Sequence, residues 1–61
     1  MTIREKMERF LVRTGKSYTA GSLSRVLKLN YETVRKYLRW MVYDGDASRF
    51  VSEGVYRYTA R

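Results

Sequence analysis

Apolar positions at the start of the chain recur at the helical period. Ile3, Met7, Phe10 and Leu11 fall at i, i+4, i+7 and i+8 and make one stripe. Thr2 and Glu5 precede and open that stripe with the spacing of a capping box, in which each side chain satisfies an orphan amide. Gly15 follows as a C′ glycine, and Lys16 to Tyr18 read as a short extended connection. Thr19 is an N-cap for a second helix with Leu23, Val26 and Leu27 inward, ending at a turn through Lys28-Leu29-Asn30. Asn30 caps a third helix on which Val34, Leu38 and Met41 form the buried stripe, and Asp44-Gly45-Asp46 stops it. The expected helices cover 3–14, 20–27 and 31–43.

The period then changes from 3.6 to 2. Ala47–Val51 and Val55–Thr59 read as two strands joined by a three-residue loop, Ser52-Glu53-Gly54, with glycine where φ is positive. That register pairs Phe50 with Tyr56, places Tyr58 on the same face, and sets Arg49 opposite Arg57 beside Val51 and Val55. The hairpin would then present an aromatic face to the core and a basic face outward.

Three helices and a hairpin, with a short helix and turn in the middle, resemble the winged helix-turn-helix. The resemblance is carried most specifically by Leu23-Ser24-Arg25-Val26-Leu27-Lys28-Leu29-Asn30-Tyr31-Glu32-Thr33-Val34-Arg35-Lys36-Tyr37-Leu38, and by the glycine turn Asp44-Gly45-Asp46-Ala47 leading into a wing. It covers nearly the whole chain, as a single domain over 1–61. Lys28 stands where that family often has glycine and Ser24 where it often has alanine. Lysine can occupy the left-handed region at modest cost, and serine is nearly alanine-sized. The fold class expected is α+β, a three-helix core followed by a two-stranded wing. The resemblance implies a small single-domain regulator of the kind found in bacteria, plasmids, phages or archaeal viruses, without assigning a subfamily.

Composition narrows the chemistry. The 61 residues include no cysteine, histidine or proline, so neither a disulfide framework nor a conventional zinc site is expected. The commonest general base and thiol nucleophile are missing too, and no enzymatic role, metal or cofactor is expected. Gly15-Lys16-Ser17 looks like the tail of a phosphate-binding loop, but Phe10 occupies the position where that loop needs its first glycine. Asp44 and Asp46 flank Gly45 and read as turn chemistry rather than as a carboxylate pair. No apolar run reaches the roughly 18–20 residues of a membrane span, and a soluble, cytoplasmic protein is expected, nucleoid-associated or in a virus-infected host. One asparagine and no glutamine lean toward a thermophilic source.

Charge supplies the functional direction. Thirteen Lys/Arg against six Asp/Glu leave a net charge of +7. The first helix sets Arg4, Lys6, Arg9 and Arg13 against Glu5 and Glu8, whereas between Lys16 and Tyr43 only Glu32 opposes Lys16, Arg25, Lys28, Arg35, Lys36 and Arg39. Solvated helices normally interleave the two signs. At about 100° per residue, Glu32, Lys36 and Arg39 lie opposite Val34 on the third helix, flanked by Thr33 and Arg35. A helix entering the major groove needs such a face. Tyr31, Glu32, Thr33, Arg35 and Lys36 are the expected base contacts, with Glu32 suited to a cytosine amino group and Arg35 or Lys36 to guanine. Lys16, Ser17, Lys28, Arg39, Arg49 and Arg57 are the expected phosphate contacts. Glu32 and Lys36 also have the spacing of an ordinary i, i+4 ion pair.

Phe10, Phe50, Tyr56 and Tyr58 fall on inward phases and are expected in the core, with Tyr37 half-buried. Trp40 and Tyr43 fall toward the outer side of the third helix, where they could pack on the chain itself, form a protein interface, or stack on bases. The leading expectation is sequence-specific binding of double-stranded DNA by a small transcriptional regulator, as a homodimer or as adjacent copies. No membrane or small-molecule partner is evident. The alternative is a protein-interaction adaptor working through Trp40 and Tyr43. Binding of RNA or left-handed duplex ranks below both.

Overall fold

Side-chain caps delimit the three helices of the computed structural model, which describes residues 2–61. Met1, which the single-domain expectation includes, lies outside the described residues. Helix α1 spans Ile3–Thr14. Thr2 Oγ1 accepts from the Glu5 amide at 3.2 Å, and the Glu5 carboxylate accepts from the Thr2 amide at 3.3 Å, completing the capping box. Helix α2 spans Ala20–Leu27, with the Thr19 hydroxyl accepting from the Ser22 amide at 3.1 Å. Lys28 closes it in the left-handed region, at φ 56° and ψ 46°. Helix α3 spans Tyr31–Asp44, one residue longer than expected, and Asn30 Oδ1 accepts from the Glu32 and Thr33 amides. Gly45 ends it at φ 85°, a conformation that would burden any residue with a Cβ.

The core is where the three stripes meet. Met7 and Leu11 of α1, Ala20 and Leu23 of α2, and Val34, Leu38 and Met41 of α3 are buried together with Ala47 and Tyr58 of the hairpin. Phe10 is half-buried at the rim, its ring centroid 5.1 Å from that of Tyr18, and Tyr37 is half-buried as expected. Val26 is not inward: it is exposed. Ala20, Leu23 and Leu27 centre the apolar side of this two-turn helix between Leu23 and Leu27, which rotates Val26 about a quarter-turn away.

The hairpin departs from the sequence reading by one residue. Strands β1 (Ala47–Ser52) and β2 (Val55–Ala60) pair antiparallel with Ser52 opposite Val55, Phe50 opposite Arg57 and Arg49 opposite Tyr58. The loop is therefore two residues, Glu53 and Gly54, both at positive φ (52° and 79°). Such a loop follows the right-handed twist of the strands, but it requires Glu53 to adopt a conformation usually left to Asn, Asp or Gly. Reading Gly54 as the sole positive-φ residue leads to the longer loop. Because side chains alternate with period 2, that single step exchanges the faces of one strand relative to the other.

Arg49 and Arg57 consequently do not face each other. Arg49 shares the face of Ala47, Tyr56 and Tyr58, whereas Arg57 lies on the opposite face with Phe50. Of the three hairpin aromatics expected in the core, only Tyr58 is buried, and Phe50 and Tyr56 are exposed. Tyr18 joins the sheet on the far side of β2, exchanging two backbone hydrogen bonds with Tyr58 at 2.8 and 2.7 Å. β1 is left as the free edge. The arrangement of three helices and a terminal two-stranded hairpin matches a winged-helix layout. Among the described residues, no helix is long and apolar enough to cross a membrane.

A long-range ion cluster ties the two ends of the helical unit together. Arg4 Nη2 donates to Asp44 Oδ2 at 2.7 Å and to Asp46 Oδ2 at 2.6 Å. Each partner has the wrong sign for its own helix: a cation in the first turn of α1 and a carboxylate in the last turn of α3 both oppose the local macrodipole. Brought together, they neutralise one another. The hydrogen bonds it donates to Asp44 and then to Asp46 hold the Arg4 guanidinium still more firmly cationic than usual. The aspartates therefore do more than flank a turn.

Candidate nucleic-acid interface

The outward face of α3 and the inner face of the hairpin enclose an open groove. Burial of Val34, Leu38 and Met41 turns the opposite side of α3 to solvent, and burial of Ala47 and Tyr58 fixes which hairpin face looks toward it. Glu32, Thr33, Arg35, Lys36, Arg39 and Trp40 line the helical wall, and Arg49, Tyr56 and Tyr58 the wall made by the hairpin. Four cationic side chains thus converge on one concavity containing a single carboxylate. None of the four is buried.

Two of these cations rest on aromatic rings. Lys36 Nζ lies 5.1 Å from the centre of the Trp40 ring, and the Arg49 guanidinium lies 4.6 Å from that of Tyr56. Trp40 is itself held edge-on by Tyr37, with ring centroids 5.3 Å apart. A ring face attracts a cation through its quadrupole while leaving the cation's remaining donors free. The rings therefore restrict two long, flexible side chains that would otherwise lose rotamer freedom on meeting a ligand. This seats Trp40, 45% exposed, in the groove, whereas Tyr43, 90% exposed, points into solvent outside it.

Glu32 makes its ion contact with Arg35, at a long 3.9 Å, and not with Lys36, which takes the Trp40 ring instead. Both Glu32 and Arg35 remain exposed, so this weak i, i+3 contact leaves their polar atoms accessible. Tyr31, at the first turn of α3, is exposed but does not line the groove.

The remaining sequence candidates are dispersed. Arg57 is half-buried and turned toward the α1–α2 connection: its Nε donates to Ser17 Oγ at 3.0 Å and its Nη2 to the Ser17 carbonyl at 2.9 Å. Arg57 and Ser17, each expected to touch phosphate, are thus joined to each other, and the pair fastens the hairpin to the segment leading into Tyr18. Lys16 is exposed beside Ser17, and Lys28 is exposed at the end of α2. Neither lines the groove. Tyr56 is the groove residue that sequence reasoning missed, because the shifted register placed it in the core. The two-residue turn at Glu53-Gly54 was the only signal that could have recovered it.

Among the described residues, no group of His, Cys, Asp or Glu side chains is arranged to hold a metal ion. Comparison with known proteins adds no assignment to this geometry: no protein-family model, curated protein or solved structure matches the chain.

Proposed function

We propose that the chain is a sequence-specific double-stranded DNA-binding protein of the winged helix-turn-helix type, acting as a small transcriptional regulator. The observation carrying this reading is the convergence of Arg35, Lys36, Arg39 and Arg49 on one groove between α3 and the hairpin. Helix α3 enters the major groove with Glu32, Thr33, Arg35 and Lys36 toward base edges, and Tyr31 reaches from its first turn. Arg39 and Arg49 meet phosphates on either side. Arg49 makes the wing contact, whereas Arg57, bound to Ser17, supports the hairpin from behind.

Neutralising about five to eight phosphates gives a log–log salt slope of about −4 to −7. A titration of a duplex library enriched by selection tests both parts of the reading. An enriched motif with a slope in that range supports it, and a slope shallower than about −2 overturns the electrostatic part. Charge reversal at Lys36 and Arg39 should abolish binding while the far-ultraviolet spectrum stays that of the folded chain. Retained duplex binding would overturn the placement of α3 on the DNA, whereas failure of any motif to enrich would favour the adaptor reading.

A further inference from the structure

The tip of the hairpin does not suit DNA. Phe50, Val51, Val55 and Tyr56 are exposed by 44%, 62%, 48% and 53%, and the turn between them carries a carboxylate, Glu53, with no cation. A polyanion would repel that turn. Glu53 makes no ion pair among the described residues, and it is held there despite a positive φ that glycine or asparagine would adopt more cheaply.

A complementary surface lies elsewhere. Helix α1 carries four cations against two carboxylates, and the helix groups three of the cations. Lys6, Arg9 and Arg13 line one flank, where with the half-buried Phe10 and Leu27 they surround a hollow of about 280 Å³. The Glu8 carboxylate projects toward the other side, and Glu5 sits at the edge of this flank, one turn before Arg9. None of the three cations has an ion pair among the described residues, and Arg13 lies over the Phe10 ring at 5.9 Å. The hollow is below the usual size of a small-ligand pocket, but it would admit one carboxylate side chain and its apolar neighbours.

We propose that this hollow receives the Glu53 wing tip of a second copy of the chain. Glu53 meets Lys6, Arg9 and Arg13, while Val55, on the hairpin face opposite that of Arg49, approaches the apolar floor of Phe10 and Leu27. The two surfaces share no residue, so each copy can give its wing tip to one neighbour and its hollow to another. Used head to tail in this way the contact is heterologous, and it builds a ring or an open array according to the rotation between neighbours. The contact does not itself depend on the DNA reading. Alignment of the array along a duplex does rest on it, since a polyanion offsets the repulsion between copies of charge +7.

The absence of cysteine permits a direct test. Chains carrying Ser52→Cys or Lys6→Cys, which keep Glu53, Arg9 and Arg13, are mixed in equal amounts and oxidised at about 0.15 M salt, where long-range repulsion is screened beyond about 8 Å. The mixture is oxidised both without DNA and on a long duplex. Random collision yields the 52–52, 52–6 and 6–6 products in proportions of about 1:2:1. The inference requires the mixed 52–6 product to exceed half of the total, and requires that excess to vanish when Glu53→Gln is added to the Ser52→Cys chain. Proportions of 1:2:1, an excess of 52–52, or an excess that survives Glu53→Gln would each overturn it. Binding to a short single-site duplex, measured separately, judges the DNA reading. Failure there would leave the cross-linking result without DNA intact.

Discussion

Single residues carry more of the local geometry than their types suggest. Lys28 sits at φ 56° at the end of α2, where a Cβ costs about 1 kcal/mol or more. Lys28→Gly is therefore expected to stabilise the chain by about 0.5–1 kcal/mol, read as a raised denaturation midpoint with an unchanged slope. Glu5 behaves differently. Its backbone hydrogen bond to Thr2, then the Thr2 hydroxyl, and lastly the charge of Arg9 hold its carboxyl below the usual range, with slight desolvation opposing them. A pKa depressed in the folded state stabilises above the ordinary carboxylate pKa, and the contribution is lost as pH falls through the folded value. Acid titration to about pH 3 should therefore lower the melting midpoint, and Glu5→Gln should flatten part of that fall. Arg4→Met should lower the midpoint at neutral pH by leaving Asp44 and Asp46 facing each other, whereas Arg9→Met should not.

At the level of elements, the caps and stripes of the helices were legible because they are local. Thr2, Thr19 and Asn30 each reach an amide two or three residues ahead, and a 3.6-residue period declares its buried side within a dozen residues. Val26 shows the limit, since a two-turn helix has too few apolar positions to centre its own stripe. The hairpin was legible as a hairpin but not in register, because Glu53 in a left-handed conformation runs against residue preference and one step exchanges the faces. That exchange bears directly on the groove, giving it Arg49 and Tyr56 and removing Arg57. If Trp40 and Tyr56 act as rests for Lys36 and Arg49, Trp40→Leu with Tyr56→Val should weaken DNA binding by about 5- to 30-fold, from two cation–π contacts of about 0.5–1 kcal/mol each. The salt slope should be nearly unchanged, since no charge is removed. Isothermal titration over a salt series separates this from loss of fold.

The whole molecule is small enough that its stability rests on a few side chains. At roughly 0.05–0.15 kcal/mol per residue, 61 residues amount to about 3–9 kcal/mol. Leu23 and Leu38 are wholly buried, and replacing either by alanine typically costs about 2–5 kcal/mol. Either variant should therefore lose a large share of that stability, visible in the helical circular dichroism as a lowered melting midpoint.

The sequence by itself determined three helices, their caps, most of their buried sides, the positive third helix and the presence of a wing, because each depends on neighbours within about one turn of chain. Tertiary structure alone decided the register of the wing, the pairing of Arg4 with Asp44 and Asp46, and the fastening of Arg57 to Ser17. It also decided the meeting of Arg49 with α3 across one groove. The register turns on Glu53 in a left-handed conformation that runs against its residue preference. The Arg4 and Arg57 contacts join residues 40 or more positions apart, and a contact between distant residues is chosen by which surfaces the core has already buried, which no local pattern encodes.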